Sequence, residues 1–102
     1  MTARNYYART HDGYRVDDPS PVALAVLIDE LNHVDNTFMT VQPDRAGVGW
    51  RATVSLRRDE AYEILFRDES GRAHEVRTLT ASDAVVSALT RWLAARVPDA
   101  TG

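Results

Sequence analysis

The sequence predicts an α+β fold: one antiparallel sheet, made of an N-terminal hairpin and a four-stranded meander, with two amphipathic helices packed on one face in the order ββαββββα. Three observations predict it. Apolar residues alternate with period two over residues 50–57 and 62–67, which marks strands. Apolar residues recur at helical spacing after Pro21 and again after Ser82. The links between successive strands are short, which favours antiparallel neighbours. At 102 residues the chain is the size of one domain, read as 1–98 with 99–102 as a frayed tail.

The elements follow in order. Residues 5–10 contain Tyr6 and Tyr7 and read as a short strand, returned by residues 14–16 after His11-Asp12-Gly13, a turn whose Asp-Gly pair tolerates positive backbone angles. Ser20 can cap a helix that Pro21 begins, and Leu24, Leu27, Ile28 and Leu31 then form one stripe. Residues 32–37 end that helix. Residues 38–41 read as a strand closed by Gln42-Pro43-Asp44, followed by a loop through Gly47 and Gly49. Trp50, Ala52, Val54 and Leu56 face inward between Arg51, Thr53, Ser55 and Arg57. After a turn at Arg58-Asp59-Glu60, Tyr62, Ile64 and Phe66 form the next inward row, with Glu63, Leu65 and Arg67 outward. A turn at residues 68–71 leads to a strand over 72–78. Thr80 is read as the cap of the last helix, which carries Asp83 in its first turn and Val85, Leu89, Trp92 and Leu93 on one face until Pro98 ends it.

Composition narrows the function. All twelve basic side chains are arginine, and there is neither lysine nor cysteine. Schiff-base lysines, thiolate nucleophiles, thiolate metal ligands and a Walker lysine are therefore absent from the chain. The longest apolar run, residues 22–28, is too short to span a bilayer, and residues 1–14 contain no signal-peptide core. A cytoplasmic, membrane-free protein is expected. The net charge is −3, and the whole acidic excess falls in residues 21–49, where Asp29, Glu30, Asp35 and Asp44 face Arg45 alone. No basic stripe exists to displace counterions from nucleic acid, so no nucleic-acid partner is expected.

The residues with catalytic potential are scattered. His11, His33 and His74 show no metal-ligand spacing, and His74 and Glu75 point to opposite faces of a strand. The carboxylate pairs Asp17/Asp18, Asp29/Glu30, Asp59/Glu60 and Asp68/Glu69 sit at turns and helix ends, where water screens them. Gly47-Val48-Gly49 lacks the third glycine of a dinucleotide loop and precedes a strand. No metal, cofactor or catalytic residue is expected. Asp29 and Glu30 stand instead at the C-terminal end of a helix, against its dipole, at a cost of about 0.3–1 kcal/mol. With Asp35 and Asp44 they make an acidic surface able to steer a basic protein partner. Leu65, outward between Glu63 and Arg67, is a candidate apolar anchor, and Tyr6, Tyr7 and Tyr14 are aromatic groups on a hairpin expected at the sheet edge.

Residues 49–95 carry Tyr62-Glu63-Ile64-Leu65-Phe66-Arg67-Asp68, then Gly71-Arg72-Ala73-His74, then Arg91-Trp92-Leu93. In these segments the chain resembles small actinobacterial proteins of the Imm1-type immunity family of polymorphic toxin systems. That resemblance implies a small α+β protein that binds and blocks a cognate toxin without catalysis of its own. The expected function is thus a non-catalytic immunity or inhibitor protein that occludes a partner's active site, with Asp29, Glu30, Asp35, Asp44 and Leu65 at the contact. The alternatives are a homodimeric chaperone- or scaffold-like module joined through its open sheet face, with Leu65 and Met39 between subunits, and a small enzyme that pairs a histidine with a carboxylate.

Overall fold

The computed structural model describes residues 6–44, 49–68 and 73–96. Among them the chain forms β1 (Tyr6–Thr10), β2 (Arg15–Asp17), α1 (Pro21–Asp29), β3 (Phe38–Pro43), β4 (Arg51–Leu56), β5 (Tyr62–Arg67), β6 (Ala73–Leu79) and α2 (Ser82–Arg96). This is the α+β order ββαββββα. The loop at Gly47, the turn at 69–71, Pro98 and the tail 99–102 lie outside the described residues, as does the side chain of His74.

All neighbours in the sheet are antiparallel, in the order β2-β1-β3-β4-β5-β6. The hairpin does more than lean on an edge. β1 pairs with β3 through five residues, from Tyr6 opposite Pro43 to Thr10 opposite Met39, so β1 lies inside the sheet and β2 is the edge. The turn between β1 and β2 closes with the Thr10 N–H donating to the Tyr14 carbonyl (2.8 Å), and Gly13 takes φ +98°, where a side chain would be strained.

The registers align two inward rows. Ala8, Val41, Ala52 and Phe66 lie side by side, and Thr10, Met39, Val54 and Ile64 lie beside them. Leu24, Leu27 and Ile28 of α1 and Val85, Ala88, Leu89 and Leu93 of α2 cover these rows and complete one core. Burying each large aliphatic or aromatic side chain contributes about 1.5–3 kcal/mol. Trp92 of α2 closes one end, edge-on to Trp50 at 5.4 Å and 4.9 Å from Phe66. Met39 is fully buried on the helix side of the sheet, so it cannot belong to a contact made by the outer face.

The helices cover the central strands. The middle of β6 is wet on both faces: Glu75 and Arg77, 3.8 Å apart, occupy the helix side and Val76 and Thr78 the outer side, while Leu79 packs against the core. Charges on an edge strand oppose pairing with a foreign strand.

Helix ends depart from expectation by a residue or two. Ser20 caps α1 as read, its Oγ accepting from the Ala23 N–H at 3.1 Å. The helix stops at Asp29, because the Leu31 N–H turns back to the Ile28 carbonyl and the Asn32 N–H bonds the Asn36 carbonyl. Leu31 still packs in the core. The cap position of α2 is Ala81, whose carbonyl accepts from both Ala84 and Val85, and not Thr80.

Candidate functional site

Antiparallel pairing brings three segments to one end of the sheet: the β1–β2 turn, the loop from α1 to β3, and the turn from β4 to β5. Side chains hold each in shape. In the loop, Asn32 Oδ1 accepts from the N–H groups of Val34 (2.8 Å), Asp35 (3.0 Å) and Asn36 (3.3 Å). Asn36 Nδ2 donates back to the Glu30 carbonyl at 3.3 Å. These bonds fold the loop inward at Asn36 and leave His33, Val34 and Asp35 exposed. In the hairpin turn, Thr10 Oγ1 donates to Asp12 and accepts from the Tyr14 N–H. His11 stacks on Phe38 at 4.7 Å, and its Nδ1 accepts from the Thr37 N–H at 3.3 Å. In the β4–β5 turn, Asp59 accepts from Arg57 (3.2 Å) and from the Ala61 N–H (3.1 Å), and both bonds hold its carboxyl below the usual carboxylate range.

The three segments carry Asp12, Asp29, Glu30, Asp35, Asp59 and Glu60 against Arg57 and Arg58. Asp59 is matched by Arg57. Asp29, Glu30 and Asp35 form no ion pair among the described residues. Glu60 Oε2 lies 2.9 Å from His33 Nε2, with both side chains open to water. Burial pushes the Tyr62 phenol above its ordinary value, and the nearby carboxylates of Asp29 and Glu60 add to the effect.

The structure thus unites part of the sequence-derived site and separates the rest. Asp29, Glu30 and Asp35 share this end. Asp44 follows β3 at the opposite end, about 20 Å of strand away. It is also ion-paired there, 3.1 Å from Arg15, whose guanidinium lies over the Tyr7 ring at 3.9 Å and also holds Asp17 at 2.9 Å. The expectation that Asp44 adds to an unmatched cluster is corrected: Arg15 reaches it through the β2-β1-β3 order. Leu65 lies mid-strand on the outer face, between Thr53 and Val76, on the far side of the sheet from the helices. Asp12, Asn36 and Glu60 join the acidic end without having been singled out for it. Their turn signals were legible, and their proximity depends on the β1–β3 pairing and on the β4–β5 turn meeting the loop after α1.

The His33–Glu60 pair supplies the geometric half of an acid–base unit. It lies in the open and lines none of the recesses described in this structure. No cluster of three or more His, Asp or Glu side chains suited to a metal ion is present among the described residues, and no helix there is long and apolar enough to cross a membrane. No family model, no curated protein and no solved structure matches the chain.

Proposed function

We propose that this chain is a non-catalytic binding domain of the immunity or inhibitor kind, working in the cytoplasm, that neutralises a basic protein partner by laying its acidic end over the partner's active site. The observation that carries this reading is the set of carboxylates Asp12, Asp29, Glu30, Asp35 and Glu60 at one end, with Asp29, Glu30 and Asp35 unmatched by any guanidinium among the described residues. Such a surface raises encounter rates with a positive partner and rejects acidic ones. The resemblance to immunity proteins agrees with it, as does a side-chain inventory without lysine or cysteine.

The test is a search for a toxic, Arg/Lys-rich domain that this chain neutralises on co-expression, followed by affinity measurement across ionic strength. Neutralising Asp29, Glu30 and Asp35 together to Asn or Gln is expected to weaken binding and flatten its salt dependence, while Asp44→Asn leaves both unchanged. Equal affinity for the triple variant and the parent overturns the charge-based contact. Substrate turnover by the purified chain, abolished by His33→Ala, overturns the class.

A second reading is favoured by one observation. Leu65 and Val76, the latter 55% exposed, are neighbours on the outer sheet face. A homodimeric scaffold would bury this pair. Sedimentation showing a stable dimer in the absence of any other protein, lost in Leu65→Arg, supports that reading over the first.

A further inference from the structure

From Pro21 to Ile28, α1 carries no polar side chain. Leu24, Leu27 and Ile28 face the core, while Val22 and Val26, one helical turn apart, face water at 73% and 51% exposure. A surface helix normally turns charged groups outward, and a helix apolar on every side is normally covered. The water side of the neighbouring α2 is low in bulk. Thr90 returns its hydroxyl to the Val86 carbonyl at 2.7 Å, and Ser87 and Ala94 are small. Between the two helices runs a shallow recess lined by Pro21, Val86, Ser87, Thr90, Arg91 and Ala94.

The charges on this helix layer are placed symmetrically. Asp83 lies four residues before Ser87 and Arg91 four residues after it, and all three are exposed. Asp83 and Arg91 thus stand about 12 Å apart along the axis. Neither forms an ion pair among the described residues. An antiparallel copy of α2 laid across Ser87 sets Asp83 against Arg91 of the other copy, and Arg91 against its Asp83.

One axis serves both helices. β2 delivers the chain to α1 at the end of the sheet marked by Tyr7, and β6 delivers it to α2 at the end marked by Tyr62, so the helices run antiparallel. Pro21, at the start of α1, accordingly lies beside Thr90 and Ala94, toward the end of α2. Leu24, midway between Val22 and Val26, is about 4.5 Å along α1 from Pro21, and Ser87 is about 6 Å back along α2 from Arg91. A two-fold axis across Ser87 therefore also crosses α1 between its exposed valines, and Val22 meets Val26 of the other copy.

We propose that a second copy of this chain docks here, helix layer to helix layer, as a two-fold pair about that axis. A two-fold contact uses one patch twice and needs a surface complementary to itself. Asp83 and Arg91, balanced about Ser87, meet that need; a purely basic partner is repelled by Arg91 and a purely acidic one by Asp83. The patch is one short helix and one side of another, so the pair is weak and exchanges with monomer. Asp12, Asp35 and Glu60 then lie at opposite ends of the pair, off the contact. The inference goes beyond the binding function proposed above and does not rest on it.

Sedimentation of the full chain from about 1 µM to about 1 mM, the span of a weak interface, reads the pair. The parent is expected to pass from monomer to dimer within that span. Asp83→Arg and Arg91→Asp, each alone, set like charges together at both contacts and weaken the dimer by about tenfold or more. An equimolar mixture of the two variants restores both contacts and forms a heterodimer about as tight as the parent dimer, which also shows that each variant is folded. Val26→Glu weakens the parent dimer, and Leu65→Arg, on the far face of the sheet, leaves it unchanged. A monomer at every concentration, including one that engages a basic protein through Val22 and Val26, overturns the inference. So does a mixture no tighter than its components, or a dimer that Leu65→Arg abolishes. The binding function fails separately, on equal affinity of the triple acidic variant and its parent for a toxic domain.

Discussion

His33 Nε2 and Glu60 Oε2 stand 2.9 Å apart and join the loop after α1 to the β4–β5 turn. The contact is geometrically good and energetically small, because both side chains are exposed and must surrender rotamer freedom to meet. His33→Ala is therefore expected to change unfolding free energy by no more than about 0.5–1 kcal/mol in urea melts at neutral pH. A larger loss means that the pair organises this end of the molecule.

Glu60 takes φ +69°, a left-handed conformation that crowds any Cβ. The penalty is about 1–2 kcal/mol for a residue other than glycine. Glu60→Ala keeps the crowding and Glu60→Gly removes it, while both delete the carboxylate. Part of the relief is offset by the greater freedom of glycine in the unfolded chain. The glycine variant is expected to be more stable than the alanine variant by about 0.5–1 kcal/mol in matched denaturant melts.

The raised Tyr62 phenol gives a pH dependence of definite sign. Folded Tyr62 holds its proton to a higher pH than the unfolded residue, whose ordinary value is about 10. Its contribution to stability is complete below that value and is lost as pH rises through the folded value. Tyr62→Phe is expected to remove this part of the alkaline loss. Asp29→Asn and Glu60→Gln, which delete the neighbouring charges, move the phenol back toward its ordinary value. Difference titration of phenolate absorbance against the Tyr62→Phe variant reads both effects.

Phe66 anchors the inward row where the sheet meets Trp92. Phe66→Ala opens a cavity and strips that contact, at an expected cost of about 3–5 kcal/mol. The near-ultraviolet dichroism of the Trp50–Trp92 pair should weaken in the same variant, which separates loss of packing here from general destabilisation.

Ser20→Ala removes the oxygen that accepts from the Ala23 N–H. The expected loss is about 1 kcal/mol in thermal or urea melts. Thr80→Ala is the contrasting control: the first turn of α2 is held by the Ala81 carbonyl, and a comparable loss is not expected there.

Local chemistry made most of the fold legible. Alternation at Ala52, Val54, Ile64 and Phe66, the stripe Leu24-Leu27-Ile28, and the Ser20-Pro21 helix start each act within a few residues, so spacing reveals them. The acidic character of Asp29, Glu30 and Asp35 was legible for the same reason. The pairing of β1 with β3 was not, because it joins residues separated by α1, and local spacing does not encode which edge the hairpin takes. That single pairing carries Asp12 and Tyr14 to the side of Glu30 and Asn36. Chain folding around it likewise gives Asp44 to Arg15. The sequence by itself determined the elements, the sign of the charge and the absence of lysine and cysteine, since these are properties of residues and their near neighbours. Tertiary structure alone decided which charges stay unmatched, because that depends on distances between segments far apart in the chain.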